Sequence, residues 1–286
     1  MIAELLSPFA YDYMAKAMWV SALVGGTCAF LSAYLMLKGW SLMGDALAHS
    51  IVPGVAGAYI LGVPFAAGAF LAGLLASAGM AFVKANTRLR EDAVIGLIFT
   101  SLFALGVLMA SLSPISVNVQ TIVLGNILAI SDADVVQVAI IAAVSLAVLT
   151  LKWKDLMVVF FDESHARSIG LNTRLLRLLF FTLLSACTVA ALQTVGAVLV
   201  VAMVVTPGAT AYLLTDRFDR LILISVATGA VTSFVGAYIS YFLDDATGGV
   251  IVCLQTLVFL AAFYLAPKHG VLASRRRRTA LEDAKA

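Results

Sequence analysis

"AVIGLIFTSLFALGVLMASL", residues 93–112, contains no Asp, Glu, Lys, Arg or His. A helix of that length rises about 30 Å, which is the thickness of the hydrocarbon core of a bilayer. Apolar side chains occupy it without the polar stripe that a surface helix of a soluble protein carries. The stretch reads as a membrane span, and it is not alone.

Working outward from it, apolar blocks of similar length fall near 15–37, 42–62, 65–83, 91–112, 134–151, 175–192, 195–214, 221–242 and 250–266. The full chain of 286 residues is 62% hydrophobic and 12% charged. A soluble domain carries about 25% charged residues. These features predict an all-α fold, a polytopic transmembrane helical bundle of about nine spans, or eight if the weak break near 193–194 is bridged. A β-barrel would need alternating segments of about ten residues, and the chain has none. Residues 1–268 are expected to form one transmembrane domain, with a basic, disordered cytoplasmic tail over 269–286 that includes "SRRRRTALEDAKA".

Lys and Arg settle the orientation. Between the blocks and in the tail they include Lys38; Lys84, Arg88 and Arg90; Lys152, Lys154, Arg167, Arg174 and Arg177; Arg217 and Arg220; and Lys268 and Arg275 to Arg278. These are alternate connections. Those near 62–64, 113–133, 193–194 and 243–249 carry neither residue. An outside N-terminus and a cytoplasmic C-terminus satisfy the whole pattern. The N-terminal "MIAELLSPFAYDYMAK" lacks a basic start, so no cleavable signal peptide is expected. Cys28, Cys187 and Cys253 are scattered through apolar blocks and read as core residues. The outer connection 113–133 contains "VQTIVLGNILAI", spaced like a short interfacial or re-entrant helix. The inner connection 152–174 holds the one strongly charged helical segment.

Within the second span, "SLMGDALAHSIVPG" (41–54) places Asp45 and His49 four residues apart. That spacing puts both on one helix face, about 6 Å apart at Cβ. A hard oxygen and an imidazole nitrogen suit Mn(II), Fe(II) or Zn(II). Two ligands are too few for a divalent ion, but a two-fold dimer would supply four. The pair also has plain structural readings: Asp45 as a helix-start residue that caps or snorkels, and His49 as a neutral ring bonded to a neighbouring helix. Pro53 and Gly54 one turn later are expected to kink the span. "PGVAGAYIL" (53–61) and "PGATAYLL" (207–214) echo one another, as broken spans in inverted halves do.

Other polar residues in the apolar blocks, Gln193, Thr194 and Gln255, read as helix–helix hydrogen bonds. Thr206 precedes Pro207 and is placed to satisfy a freed carbonyl. Asp244 and Asp245 read as a solvated outer turn. No GxxxxGK[ST] phosphate loop, HExxH or nucleophile–base arrangement occurs, so no catalytic residue is assigned and ATP hydrolysis would need another chain.

Four ordered stretches carry a resemblance: "KGWSLMGDALAHSIVPGVA" (38–56), "LGNILAISDAD" (124–134), "FDESHARSIGL" (161–171) and "QTVGAVLVVAMVVTPGATAYLL" (193–214). Together they resemble the membrane permeases of bacterial ABC importers for manganese, iron and zinc. The resemblance runs from about residue 10 to 268 and implies a type II importer-like permease. It also implies a homodimer in the inner membrane, driven by two cytoplasmic ATPase subunits and supplied by an extracytoplasmic metal-binding protein. Asp45 and His49 match the family's Asp-x-x-x-His pair at the metal gate. Glu163, Ala166 and Gly170 match part of the cytoplasmic coupling helix that docks on the ATPase; Ser164 and His165 depart from its simplest form. No permanently bound cofactor is implied, only the transported ion, and besides protein the partner is membrane lipid, not nucleic acid.

The expected function is therefore import of Mn(II) and/or Fe(II), with a Zn(II) importer of the same family as the alternative. A proton-coupled secondary carrier, using the same pair as a proton relay, is the rival from a different class. An importer of metal chelates is another rival; it would want a wider path lined by aromatic or polar groups.

Overall fold

The computed structural model describes residues 7–40, 42–112, 127–244, 246–266 and 270. The connection 113–126 and the Arg-rich tail lie outside the described residues, and with them most of the expected re-entrant segment.

Every one of the nine apolar blocks falls on a helix. They are α1 (Asp12–Lys38), the pair α2 (Met43–Ser50) and α3 (Val52–Leu61), α4 (Phe65–Asn86) and α5 (Glu91–Leu112). After the described gap come α6 (Asp132–Phe161), a short α7 (Glu163–Ser168), α8 (Thr173–Val195), α9 (Ala197–Leu214), α10 (Phe218–Leu243) and α11 (Thr247–Leu265). Among the described residues, seven helices are long and apolar enough to cross a bilayer: α1, α4, α5, α6, α8, α10 and α11. The broken α2–α3 pair and α9, which contains Pro207, account for the other two blocks.

Burial separates centre from periphery. The apolar windows of α1 and α8 are 78% and 67% buried, against 17–33% for the five others. Thus α1 and α8 form the core, and the outward leucines of the rest, such as Leu75, Leu151 and Leu223, are left for lipid. Without a hydrophobic drive between helices in lipid, close approach and hydrogen bonds hold the bundle. At the tightest crossing, a Cβ built on Gly54 of α3 would lie 2.1 Å from the Gly68 carbonyl oxygen of α4.

The weak break near 193–194 resolves one turn later. Helix α8 runs on to Val195, and the chain turns at Gly196. In α9, Pro207 cannot donate a backbone hydrogen bond. Beside the proline, another helix makes the bonds and Thr206 does not: Ser32 Oγ of α1 donates to Val205 O (3.1 Å) and accepts from Gly208 N (3.0 Å). Gln193 accepts from Gln137 of α6, as expected of a helix–helix bond. Thr194 instead bonds carbonyls of its own helix, and Gln255 is buried with no hydrogen-bond partner among the described residues.

Two sets of contacts define the two ends of the bundle. Lys16 at the start of α1 pairs with Asp132 at the start of α6, at 2.5 Å. At the other end, Trp40, Lys84 and Glu91 meet, and Glu163 holds Arg167 and Arg177. The second end gathers three of the basic residues that the sequence assigns to the inner side, Lys84, Arg167 and Arg177.

Candidate metal site and coupling face

Asp45 lies in the first turn of α2 and His49 in its last. His49 Nε2 is 3.3 Å from Asp45 Oδ1. Both side chains are partly exposed, 35% for His49 and 39% for Asp45, on the surface of a single chain. The residue preceding α2 is Leu42, and the helix start has no side-chain cap bond, so Asp45 does not act as an N-cap. His49 packs against two rings of α5, Phe99 at 5.6 Å and Phe103 at 5.5 Å between centroids. These rings restrict the imidazole and leave its Nε2 turned toward the carboxylate.

Sequence reading missed the two phenylalanines. Their i, i+4 spacing on one uncharged span was the available signal, but nothing local ties that face to α2. No third His, Cys, Asp or Glu joins the pair among the described residues. The described residues of one chain therefore bring together two such groups here, which is an incomplete set for a divalent ion.

Helix α2 is seated by small residues. Gly44 lies against Val204 of α9, where a Cβ would come within 2.8 Å of Val204 Cγ1. The break to α3 follows at Ile51, with Pro53 in the first turn of α3 and its ring against Gly106 of α5. The spans that carry the two echoing Pro-Gly stretches thus pack together, through α2 and α9.

At the α7 face, α6 continues well past the apolar block, so that all of 152–161 is helix rather than connection. Asp162 caps α7 by accepting from Ser164 N and His165 N. Glu163 accepts from both Arg167 and Arg177, which ties α7 to α8. Burial pushes the Glu163 carboxyl up, but the two guanidinium groups outweigh it and hold it below the usual carboxylate value. Ala166 is completely buried. Its small size seats α7 on the chain's own helices rather than meeting another surface. Gly170 has φ +83°, a conformation that favours glycine, and its N–H bonds to Arg167 O while Leu171 N bonds to Ala166 O. The sequence grouped Glu163, Ala166 and Gly170 together, and each has a separate job: clamp, seat and turn.

Between this helix and α2 lies a cavity of about 420 Å³, lined among others by Lys38, Trp40, Met43, Lys84, Glu163 and Arg177.

Residues 10–266 match the ABC 3 transport family over their whole length. The chain belongs to that family. It is 70% identical over 277 residues to the chelated iron transport system membrane protein YfeC of Yersinia pestis, covering 97% of this chain and 94% of that protein. It is 46% identical over 274 residues to the manganese transport system membrane protein MntB of Synechocystis, covering 96% and 90%. Among solved structures, PsaBC from Streptococcus pneumoniae in complex with Fab superposes with a TM-score of 0.85 at 34% identity, covering 96% of this chain and 100% of that one. The match to an ABC permease agrees with the helical bundle and with the absence of a phosphate loop in this chain.

Proposed function

We propose that this ABC 3 family chain is the membrane permease of an ATP-driven importer for Mn(II) and/or Fe(II), acting as a homodimer. The observation that carries the choice of cargo is the Asp45–His49 pair, which is preformed at 3.3 Å and partly exposed on one face of a broken helix. Relatives named for chelated iron and for manganese transport support it. Two copies facing each other across a two-fold axis would complete a two-Asp, two-His set for a borderline divalent ion. Two ligands per chain bind too weakly to trap the ion, which suits transport, since a deep well would prevent release.

In this reading the chain lies in the bacterial inner membrane with its C-terminus in the cytoplasm. Two separate ATPase chains dock at α7, and an extracytoplasmic metal-binding protein delivers the ion. ATP hydrolysis belongs to those partner chains.

Transport of Mn(II), Fe(II) and Zn(II) by the permease–ATPase complex in vesicles, each ion measured directly, tests the reading. Preference for Zn(II) would reject the cargo. Movement of metal by the permease alone, down a pH gradient and without ATP, would reject the importer.

A further inference from the structure

Trp40 stands where the end of α1, the start of α2 and the coupling face meet. Its backbone is fixed on both sides: its N–H bonds to Leu35 O, closing α1, and its carbonyl accepts from Met43 N, opening α2. Its indole stacks on Phe181 of α8, with centroids 5.7 Å apart and planes 16° apart. It meets the edge of Phe160 of α6 at 5.7 Å. Its Nε1 donates to Glu91 at the start of α5.

One helical turn before Phe181, Arg177 donates to Glu163 of α7. A continuous series of contacts therefore runs from α7 through Arg177 and Phe181 to Trp40, and from Trp40 directly into α2. Every link is a charge-assisted bond, a ring stack or a stretch of backbone, none of which stretches easily. On one flank the series borders the 420 Å³ cavity, which Trp40, Met43, Arg177 and Phe181 all line. Close packing on one side and a cavity on the other make a discrete shift in one direction the easiest motion.

We propose that Trp40 is a positioning residue for transport, turning displacement of the ATPase-bound α7 into displacement of α2 and its Asp45–His49 pair. This rests on the reading of α7 as the docking helix and of the pair as the metal contact. A tryptophan that merely anchors the chain at the membrane interface would have different consequences. Its loss would lower ATP hydrolysis and ion movement together. Loss of a relay raises the ATP hydrolysed per ion moved.

The experiment measures that ratio with Mn(II) as the probe, using the permease–ATPase complex in proteoliposomes. Trp40→Leu, which removes the stack and the Glu91 bond, is expected to raise the ratio roughly fivefold or more. Trp40→Phe, which keeps a ring against Phe181, is expected to stay within about twofold of the parent. A ratio unchanged in Trp40→Leu overturns the proposal, whether both rates fall together or neither does; so does an equal rise in Trp40→Phe. If Trp40→Leu does not assemble, Phe181→Leu breaks the same stack from its other side and is judged by the same ratio. His49→Ala is measured in parallel. Normal Mn(II) movement in that variant removes the metal-contact reading, while the Trp40 ratio still reports whether α7 and the transport path are coupled.

Discussion

His49 Nε2 and Asp45 Oδ1 sit 3.3 Å apart on one face of α2, with neither side chain buried by its own chain. A pair that existed only to satisfy itself in lipid would be expected to turn inward. His49→Ala is therefore expected to reduce Mn(II) movement by the complex by roughly two orders of magnitude, as loss of a metal-orienting group does. Assembly with the ATPase should persist. Near-parent transport would remove His49 from the pathway.

The α3–α4 crossing gives a second expectation. A methyl on Gly54 would overlap the Gly68 carbonyl, and its nearest side chain, Ala72 Cβ, would be only 2.6 Å away. Both obstacles are short and cannot swing aside. Gly54→Val should lower the thermal midpoint of the purified permease and its yield, whereas Gly57→Ala, where a Cβ meets only the flexible Met109 tip at 3.7 Å, should leave both unchanged. Equal behaviour of the two variants would contradict the crossing.

Ser32→Ala tests the bridge to α9. It leaves Gly208 N and Val205 O without the partner they share. An unsatisfied buried polar group costs about 1–3 kcal/mol. The expected readout is faster hydrogen exchange at 205–208, and no change there would show that the bridge does not hold this stretch.

For Gly170, the φ of +83° makes a side chain costly, on the order of 1 kcal/mol. A Cβ would touch nothing within 4 Å, so the penalty is backbone strain alone. Gly170→Ala should loosen the turn after α7 and weaken ATPase co-purification, and Gly170→Asn should rescue it, since asparagine tolerates that conformation. Failure of the rescue would point to contact with the partner instead of strain.

Glu163 supplies the pH expectation. Its carboxyl is held below the ordinary value of 4.5 by Arg167 and Arg177 despite burial. A carboxylate depressed in the folded state stabilises above its unfolded pKa and loses that contribution as pH falls through the lower folded value. Protection of the α7 amides should therefore be flat at neutral pH and decline only below 4.5. Glu163→Gln should lower protection at neutral pH and remove the acid decline.

The helices were legible because each apolar block is long and its ends carry charge or a break. Pro53 announced the α2–α3 break, and the i, i+4 spacing announced the shared face of Asp45 and His49. The end of α8 was missed because Gln193 and Thr194 look like loop residues, yet a helix tolerates both when Gln137 answers one of them. Ser32 could not be foreseen as the partner of Gly208, 176 residues away, since nothing local to a serine says which helix it will face. The rings around His49 and the position of Trp40 are tertiary facts of the same kind. Ala166 was legible as a small residue, but only packing shows that its smallness is used inward.

The break at Ile51 divides the second crossing into two pieces with different freedom. Helix α3 is clamped backbone to backbone against α4, while α2 is joined at its start to the Trp40 linker and carries Asp45 and His49. An eight-residue helix is about 12 Å long, a short lever on a fixed post. If the pair meets the ion as proposed, swinging α2 alone would move both side chains without disturbing α3, so the door can turn while the wall around it stands.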